Sequence, residues 1–204
     1  MVKQMNKNII FDFGNVLGKF DIDCLTEPYV DTKEELEEIR DVVFDRYYWD
    51  RLDRDEITDR EVIEDFCRKL PKELHKKAIN VYENWVNTMT PVPYMTTLVH
   101  DLKAKCYKLY LLSNISLGFA NTYHTVPWIR NLFSLFDGLV LSATVGMSKP
   151  DREIFQYILD KYSIQAEETL FIDDNQGNLD SAAKLGIHTY LFDWDVSKLR
   201  NFLE

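Results

Sequence analysis

Two apolar runs that stand far apart do most to limit what this chain can fold into. NIIFDF at residues 8–13 reads as a short buried strand, and the next comparable run is YKLYLL at 107–112. Between them the apolar residues recur at helical spacing. In EELEEIRDVVFDRYYW, Leu36, Ile39, Val43 and Tyr47 fall on one stripe of a single predicted helix. ITDREVIEDFCRKL opens with a capping box, Thr58 as N-cap and Glu61 three residues on, with Ile57 and Val62 placed as its staple. Leu74, Ala78, Val81, Trp85 and Met89 line a third helix, which stops before the stiff stretch Thr90-Pro91-Val92-Pro93.

Beyond residue 94 strands and helices alternate. A helix at about 94–105 leads to YKLYLL, and GLVLS (138–142) is a further strand. A helix carrying Phe155, Ile158 and Leu159 leads to TLFID (169–173), and a helix ending at Gly186 leads to IHTYLF (187–192). That rhythm builds βαβ units and a parallel sheet. The predicted fold is α/β, with a Rossmann-like parallel-sheet core (residues 1–15 and 95–204) interrupted by an all-helical cap (16–94). The insertion leaves the core just after Asp12, at the edge where open parallel sheets bind ligands, so it is placed to act as a lid.

Bulk properties narrow the function. A chain of 204 residues with 46% apolar side chains can bury a full core. The formal net charge of −10 argues against nucleic-acid partners and anionic membrane surfaces. Cys24, Cys67 and Cys106 lie far apart with no CxxC spacing, the pattern of reduced cytoplasmic thiols. No signal peptide and no membrane span is read from the sequence. The expectation is a cytoplasmic monomer acting on a small molecule.

Four stretches carry chemistry, each at or just beyond a predicted strand end. They are FDFGN (Asp12), LLSNIS (Ser113, Asn114), GMSKPD (Lys149) and FIDDNQGN (Asp173, Asp174). Each has an ordinary alternative as a turn, a helix cap or a surface lysine; the ordered set is what discriminates. Strand ends of a parallel sheet converge, so the four assemble a carboxylate nucleophile, a hydroxyl with backbone N–H donors, a cation and an acidic pair. Phosphoryl transfer needs that kit, together with a divalent metal to offset the repulsion between carboxylate and phosphate.

The motifs D-x-G-N-V (Asp12–Val16), L-S-N (Leu112–Asn114), G-M-x-K-P (Gly146–Pro150) and F-x-D-D-N (Phe171–Asn175) resemble those of haloacid dehalogenase (HAD) superfamily phosphatases with a helical cap. Within the superfamily the resemblance is to the α-D-glucose-1-phosphatase group and the phosphatase domain of soluble epoxide hydrolases. It implies an Mg²⁺-dependent phosphomonoester hydrolase acting on a small sugar phosphate through an aspartyl-phosphate on Asp12. It further implies metal ligation by Asp12, the Gly14 carbonyl and Asp174, with Asp173 behind them and Asn178 bracing the loop. Ser113 and the Asn114 N–H would bind phosphate, the latter at a helix start, and Lys149 would neutralise the nucleophile and the transferring group. In the cap, Trp49, Asp50, Arg51 and Trp85 are the candidates to face substrate, with Arg51 as a phosphate or sugar contact.

Gly14 departs from the family pattern. Most members carry a second Asp there, whose carboxyl moves the proton of the leaving group. Glycine keeps the carbonyl for metal and loses the acid, a loss of about 10²–10⁴-fold where the leaving group is poor. An anomeric oxygen leaves more readily, so a sugar 1-phosphate asks less of the acid. Asp21, Asp23 and His124 are weighed as replacements; the first two read better as helix-cap or hinge residues. The competing readings are a catalytically weak HAD-like binding protein and a metal-free haloacid dehalogenase.

Overall fold

The computed structural model describes residues 7–203; the outer limits of the predicted core, 1–6 and 204, lie outside the described residues. In chain order the elements are β1 (Asn8–Phe11), β2 (Gly18–Lys19), α1 (Ile22–Thr26), α2 (Lys33–Val43), α3 (Arg46–Leu52), α4 (Asp59–Lys69), α5 (His75–Thr88) and β3 (Thr90–Pro91). Then follow α6 (Met95–Ala104), β4 (Lys108–Ser113), α7 (Leu117–Thr122), α8 (Pro127–Phe133), β5 (Gly138–Leu141), α9 (Arg152–Tyr162), β6 (Thr169–Asp173), α10 (Gln176–Ala183), β7 (His188–Leu191) and α11 (Val196–Leu203).

Five strands form one parallel sheet in the order β5-β4-β1-β6-β7. Both faces are covered, which is why its central strands read as unbroken apolar runs. Ile9, Phe11, Leu109, Leu111, Leu170 and Ile172 point to one layer. Ile10, Tyr110, Leu112 and Phe171 point to the other, against Ile154, Phe155, Ile158 and Leu179 of α9 and α10. Truncating a fully buried residue such as Phe11 to Ala costs about 3–5 kcal/mol.

Helices α1–α5 lie between β2 and β3, which pair antiparallel through Gly18–Pro91 and Lys19–Thr90. The Val92 N–H donates to the Leu17 carbonyl at 2.9 Å, so the chain leaves and returns at one point. The helices share a continuous apolar cluster with the sheet. An aromatic chain crosses the join: Phe13 packs on Phe119 (centroids 5.2 Å), Phe119 on Trp85 (5.8 Å) and Trp85 on Trp49 (5.2 Å).

The capping box is present, with Thr58 accepting from Glu61 N–H and Glu61 reaching back to Thr58. The single helix predicted over 34–49 is instead two. Asp45 caps a new N-terminus by accepting from Tyr47 N–H, and α2 ends at Val43. Leu36, Ile39 and Val43 keep their stripe, with Ile39 and Val43 fully buried, but Tyr47 turns outward and is 57% exposed. Likewise α10 ends at Ala183, and Gly186 takes a left-handed turn three residues later (φ +86°).

Candidate active site

Sheet register sets the geometry. Phe11 is level with Leu111 on one side and Ile172 on the other, so Asp12 and Asp173 leave adjacent strands side by side. Asp12 N–H closes the last rung, donating to the Ile172 carbonyl at 2.9 Å. The strand order reverses around β1, and the carboxyl ends at such a reversal open a crevice. Here it is a cavity of about 590 Å³, walled by all four motifs and by the inserted helices.

Lys149 is the centre of charge. Its ammonium is 2.7 Å from Asp12 Oδ1 and 2.7 Å from Asp173 Oδ2. Burial pushes that ammonium toward neutrality, but the two carboxylates outweigh it and hold the pKa above its usual value. Asn114 fixes the loop, its Oδ1 accepting from Lys149 N–H and its Nδ2 donating to the Lys149 carbonyl, each at 2.8 Å.

Asp12, Asp173 and Asp174 offer oxygens within 4.8 Å of one another. Three carboxylates around one ammonium leave negative charge in excess. Burial pushes Asp12 up to about 7 against the pull of Lys149, and Asp173 and Asp174 push the same way. Asp174 is also raised by burial and by Asp173. A hard oxygen donor set with surplus negative charge fits a small divalent cation.

The acidic pair divides its work. Asp173 is fully buried and accepts from Lys149, from Asn175 N–H (2.7 Å) and from Asn178 Nδ2 (3.1 and 3.0 Å), so its oxygens are taken by protein. Asp174 is half-buried and lines the cavity, with Asn15 beside it in the wall. Asn15 turns the chain after Gly14 in the left-handed region (φ +57°), which asparagine tolerates well. Gly14 lies outside that region, and a Cβ built there meets nothing within 4 Å.

Ser113 and Asn114 line the cavity, but no helix starts at Asn114. Helix α7 begins three residues later with Ser116 as its N-cap, so the Asn114 N–H does not stand at the helix start expected for it. Trp49 and Trp85 stand in the cavity wall with Phe20 and Phe44. Arg51 does not. Its guanidinium donates to Tyr47 Oη (2.9 Å) and the Glu56 carbonyl (3.4 Å), one face of α3 away from the cavity. The cap-side cation in the wall is Arg46, which pairs with Asp50 at 2.6 Å.

None of the three weighed replacement acids lines the cavity. Asp21 caps α1, and Asp23 pairs with Arg40 at 2.9 Å. His124 sits beside Tyr123 in the turn after α7. Asp53 does line the cavity, and burial pushes its carboxyl up to about 7. Nothing in the pattern RLDRDE had marked it.

The chain belongs to the haloacid dehalogenase-like hydrolases, whose family model matches residues 9–192. It is 30% identical over 197 residues to the D-ribitol-5-phosphate phosphatase of Bacteroides thetaiotaomicron, covering 91% of each chain. It is 28% identical over 184 residues to a sesquiterpene phosphatase of Aspergillus oryzae, covering 89% of this chain and 87% of the relative. Among solved structures, a HAD family enzyme of Bacteroides thetaiotaomicron in a magnesium complex superposes with a TM-score of 0.74 at 25% identity, covering 98% of this chain and 100% of the other. The protein is accordingly a hydrolase of the HAD phosphatase type. Among the described residues no helix is long and apolar enough to cross a membrane.

Proposed function

We propose that the protein hydrolyses a small sugar phosphate with Asp12 as nucleophile and Mg²⁺ as cofactor. The observation that carries this is the Lys149 ammonium held 2.7 Å from both Asp12 and Asp173 beside a third carboxylate. An Asp12 oxygen attacks phosphorus, the ester bond breaks, and the phosphoryl group rests on Asp12 until water releases it. Asp12, the Gly14 carbonyl and Asp174 would hold the metal, which supplies charge neutralisation on the phosphate oxygens when bound. Ser113 binds the phosphate through its hydroxyl, and Lys149 shields the nucleophile from it. The 16–94 insertion serves as the cap that closes over substrate and excludes water.

The four aromatic walls support a second reading of the substrate. Phe20, Phe44, Trp49 and Trp85 pack at centroid distances of 5.2–5.9 Å. Such a box stacks the CH face of a sugar, and it also suits the apolar tail of a prenyl-type phosphate. One assay decides. Phosphate release from sugar phosphates and from prenyl phosphates is measured with and without Mg²⁺, with Asp12→Asn alongside. Release that needs both metal and Asp12 upholds the reading, and the preferred panel names the substrate class. No release from any substrate overturns it in favour of a binding protein.

A further inference from the structure

Among the carboxyls that line the cavity, Asp53 stands apart from the cluster around Lys149. It lies on the inserted segment, directly after α3, and its side chain makes no hydrogen bond or ion pair among the described residues. A carboxylate at a helix C-terminus meets the negative end of the dipole, so the position brings no local stabilisation. Its neighbour Arg54 pairs with Asp151 at 2.6 Å, and Asp151 is two residues beyond Lys149. That bridge ties the Asp53 turn to the loop that carries the catalytic cation. In-line displacement places the leaving oxygen on the side of phosphorus opposite Asp12, toward the inserted helices and away from the strand ends. Gly14 offers no proton there.

From this placement, and resting on the phosphatase reading above, we infer that Asp53 is the proton donor and acceptor of the reaction, supplied by the cap in place of the missing side chain at residue 14. In the first half-reaction the Asp12 oxygen forms a bond to phosphorus and the phosphorus–oxygen ester bond breaks. Its electron pair stays on the leaving oxygen, which takes the Asp53 proton and departs as the alcohol. In the second, water attacks the phosphorus of the aspartyl-phosphate and gives a proton to the Asp53 carboxylate. The bond to Asp12 breaks, its electron pair returns to Asp12, and the starting state is restored. Ester and water become alcohol and phosphate. The charges facing Asp53 are Asp50, Arg46, Lys149 and Asp12, and with burial as the largest cause its carboxyl is held near half-protonation at neutral pH, as a group that must both give and take a proton requires.

The test compares an aryl phosphate, which leaves without help, with an alkyl phosphate, which does not. Wild type, Asp53→Asn and the double variant Asp53→Asn/Gly14→Asp are assayed with Mg²⁺. Asp53→Asn is expected to lose about 10²–10⁴-fold in kcat/KM, which reads the first half-reaction alone, on the alkyl ester and under about tenfold on the aryl ester, while slower breakdown of the aspartyl-phosphate lowers kcat on both. The double variant should regain alkyl activity, because a side chain at residue 14 has open space. Asp53→Glu should keep part of it. A Mg²⁺-induced rise in Tm equal to wild type confirms that the fold and metal site of Asp53→Asn are intact. An equal loss of kcat/KM on both esters, or none on either, overturns the assignment while the phosphatase stands. A wild type that hydrolyses neither ester overturns both.

Discussion

Asn114 grips Lys149 from both sides, accepting its N–H and donating to its carbonyl at 2.8 Å each. The amide therefore sets where the ammonium rests, although it touches neither Asp12 nor Asp173. Displacing a catalytic group by about 1 Å costs about 10²-fold. Asn114→Ala is expected to lower kcat by about that factor with little change in Tm. Asn114→Asp should be similarly poor, since a carboxylate cannot donate to the carbonyl. An unchanged kcat in Asn114→Ala would show that the loop holds itself.

Lys149→Met should uncover the repulsion that the ammonium conceals. Asp12 and Asp173 are then buried without their cation, and breaking a buried pair from one side costs about 3–5 kcal/mol. Urea unfolding of metal-free protein would read the loss. Added Mg²⁺ is expected to restore part of it, because a divalent ion on Asp12 and Asp174 returns positive charge to the cluster.

Stability should fall with pH where that of many proteins rises. In the unfolded chain an aspartate loses its proton near pH ~4. In the metal-free folded protein Asp12 and Asp53 keep theirs to about 7. Between those limits the folded state binds more protons, so its stability is lost as pH climbs through the window. Chemical denaturation at about pH 5 and about pH 8 checks the sign. Metal competes with the Asp12 proton, so Mg²⁺ affinity should increase across the same range. A metal-free protein that is more stable at the higher pH would contradict the raised carboxyls.

Gly138 holds the edge strand against Tyr162. A Cβ there would lie 2.2 Å from the Tyr162 ring, which packs on Tyr110 and donates its hydroxyl to the Leu139 carbonyl at 3.0 Å. Gly138→Ala is expected to cost about 1–3 kcal/mol, the usual range for overpacking. In a double-mutant cycle with Tyr162→Leu most of that cost should vanish. Additive losses would mean that the clash is relieved elsewhere.

The residues of the site were legible where chemistry coincides with a strand end. Asp12, Ser113 and Asp173 each close an apolar run whose burial on both faces leaves a plain pattern, and the structure sets Asp12 and Ser113 in the cavity wall with Asp173 buried behind Lys149. Stripes such as Leu74-Ala78-Val81-Trp85 were legible for the same reason, a period that repeats over several turns. What escaped had no period to show. The β2–β3 ribbon is two residues long on each side. The break between α2 and α3 hides inside an apolar rhythm that continues across it, and only Asp45, a good N-cap residue, could have marked it. Asp53 is one of 34 acidic residues, and its position in a turn follows from Arg54 meeting Asp151, a contact 97 positions apart.

The 2.9 Å bond from Val92 N–H to the Leu17 carbonyl joins the two residues that flank 18–91, so that segment begins and ends side by side. To the sheet, everything between them is a loop with coincident ends, and closing such a loop costs only about 0.6 kcal/mol more for each doubling of its length. The helical segment is therefore an exchangeable cassette. Lengthening, shortening or rebuilding it would change what closes over the cavity while Lys149 and its three carboxylates stay on the sheet. If the cassette also carries the acid, exchanging it alters which bonds can be broken as well as which molecules fit.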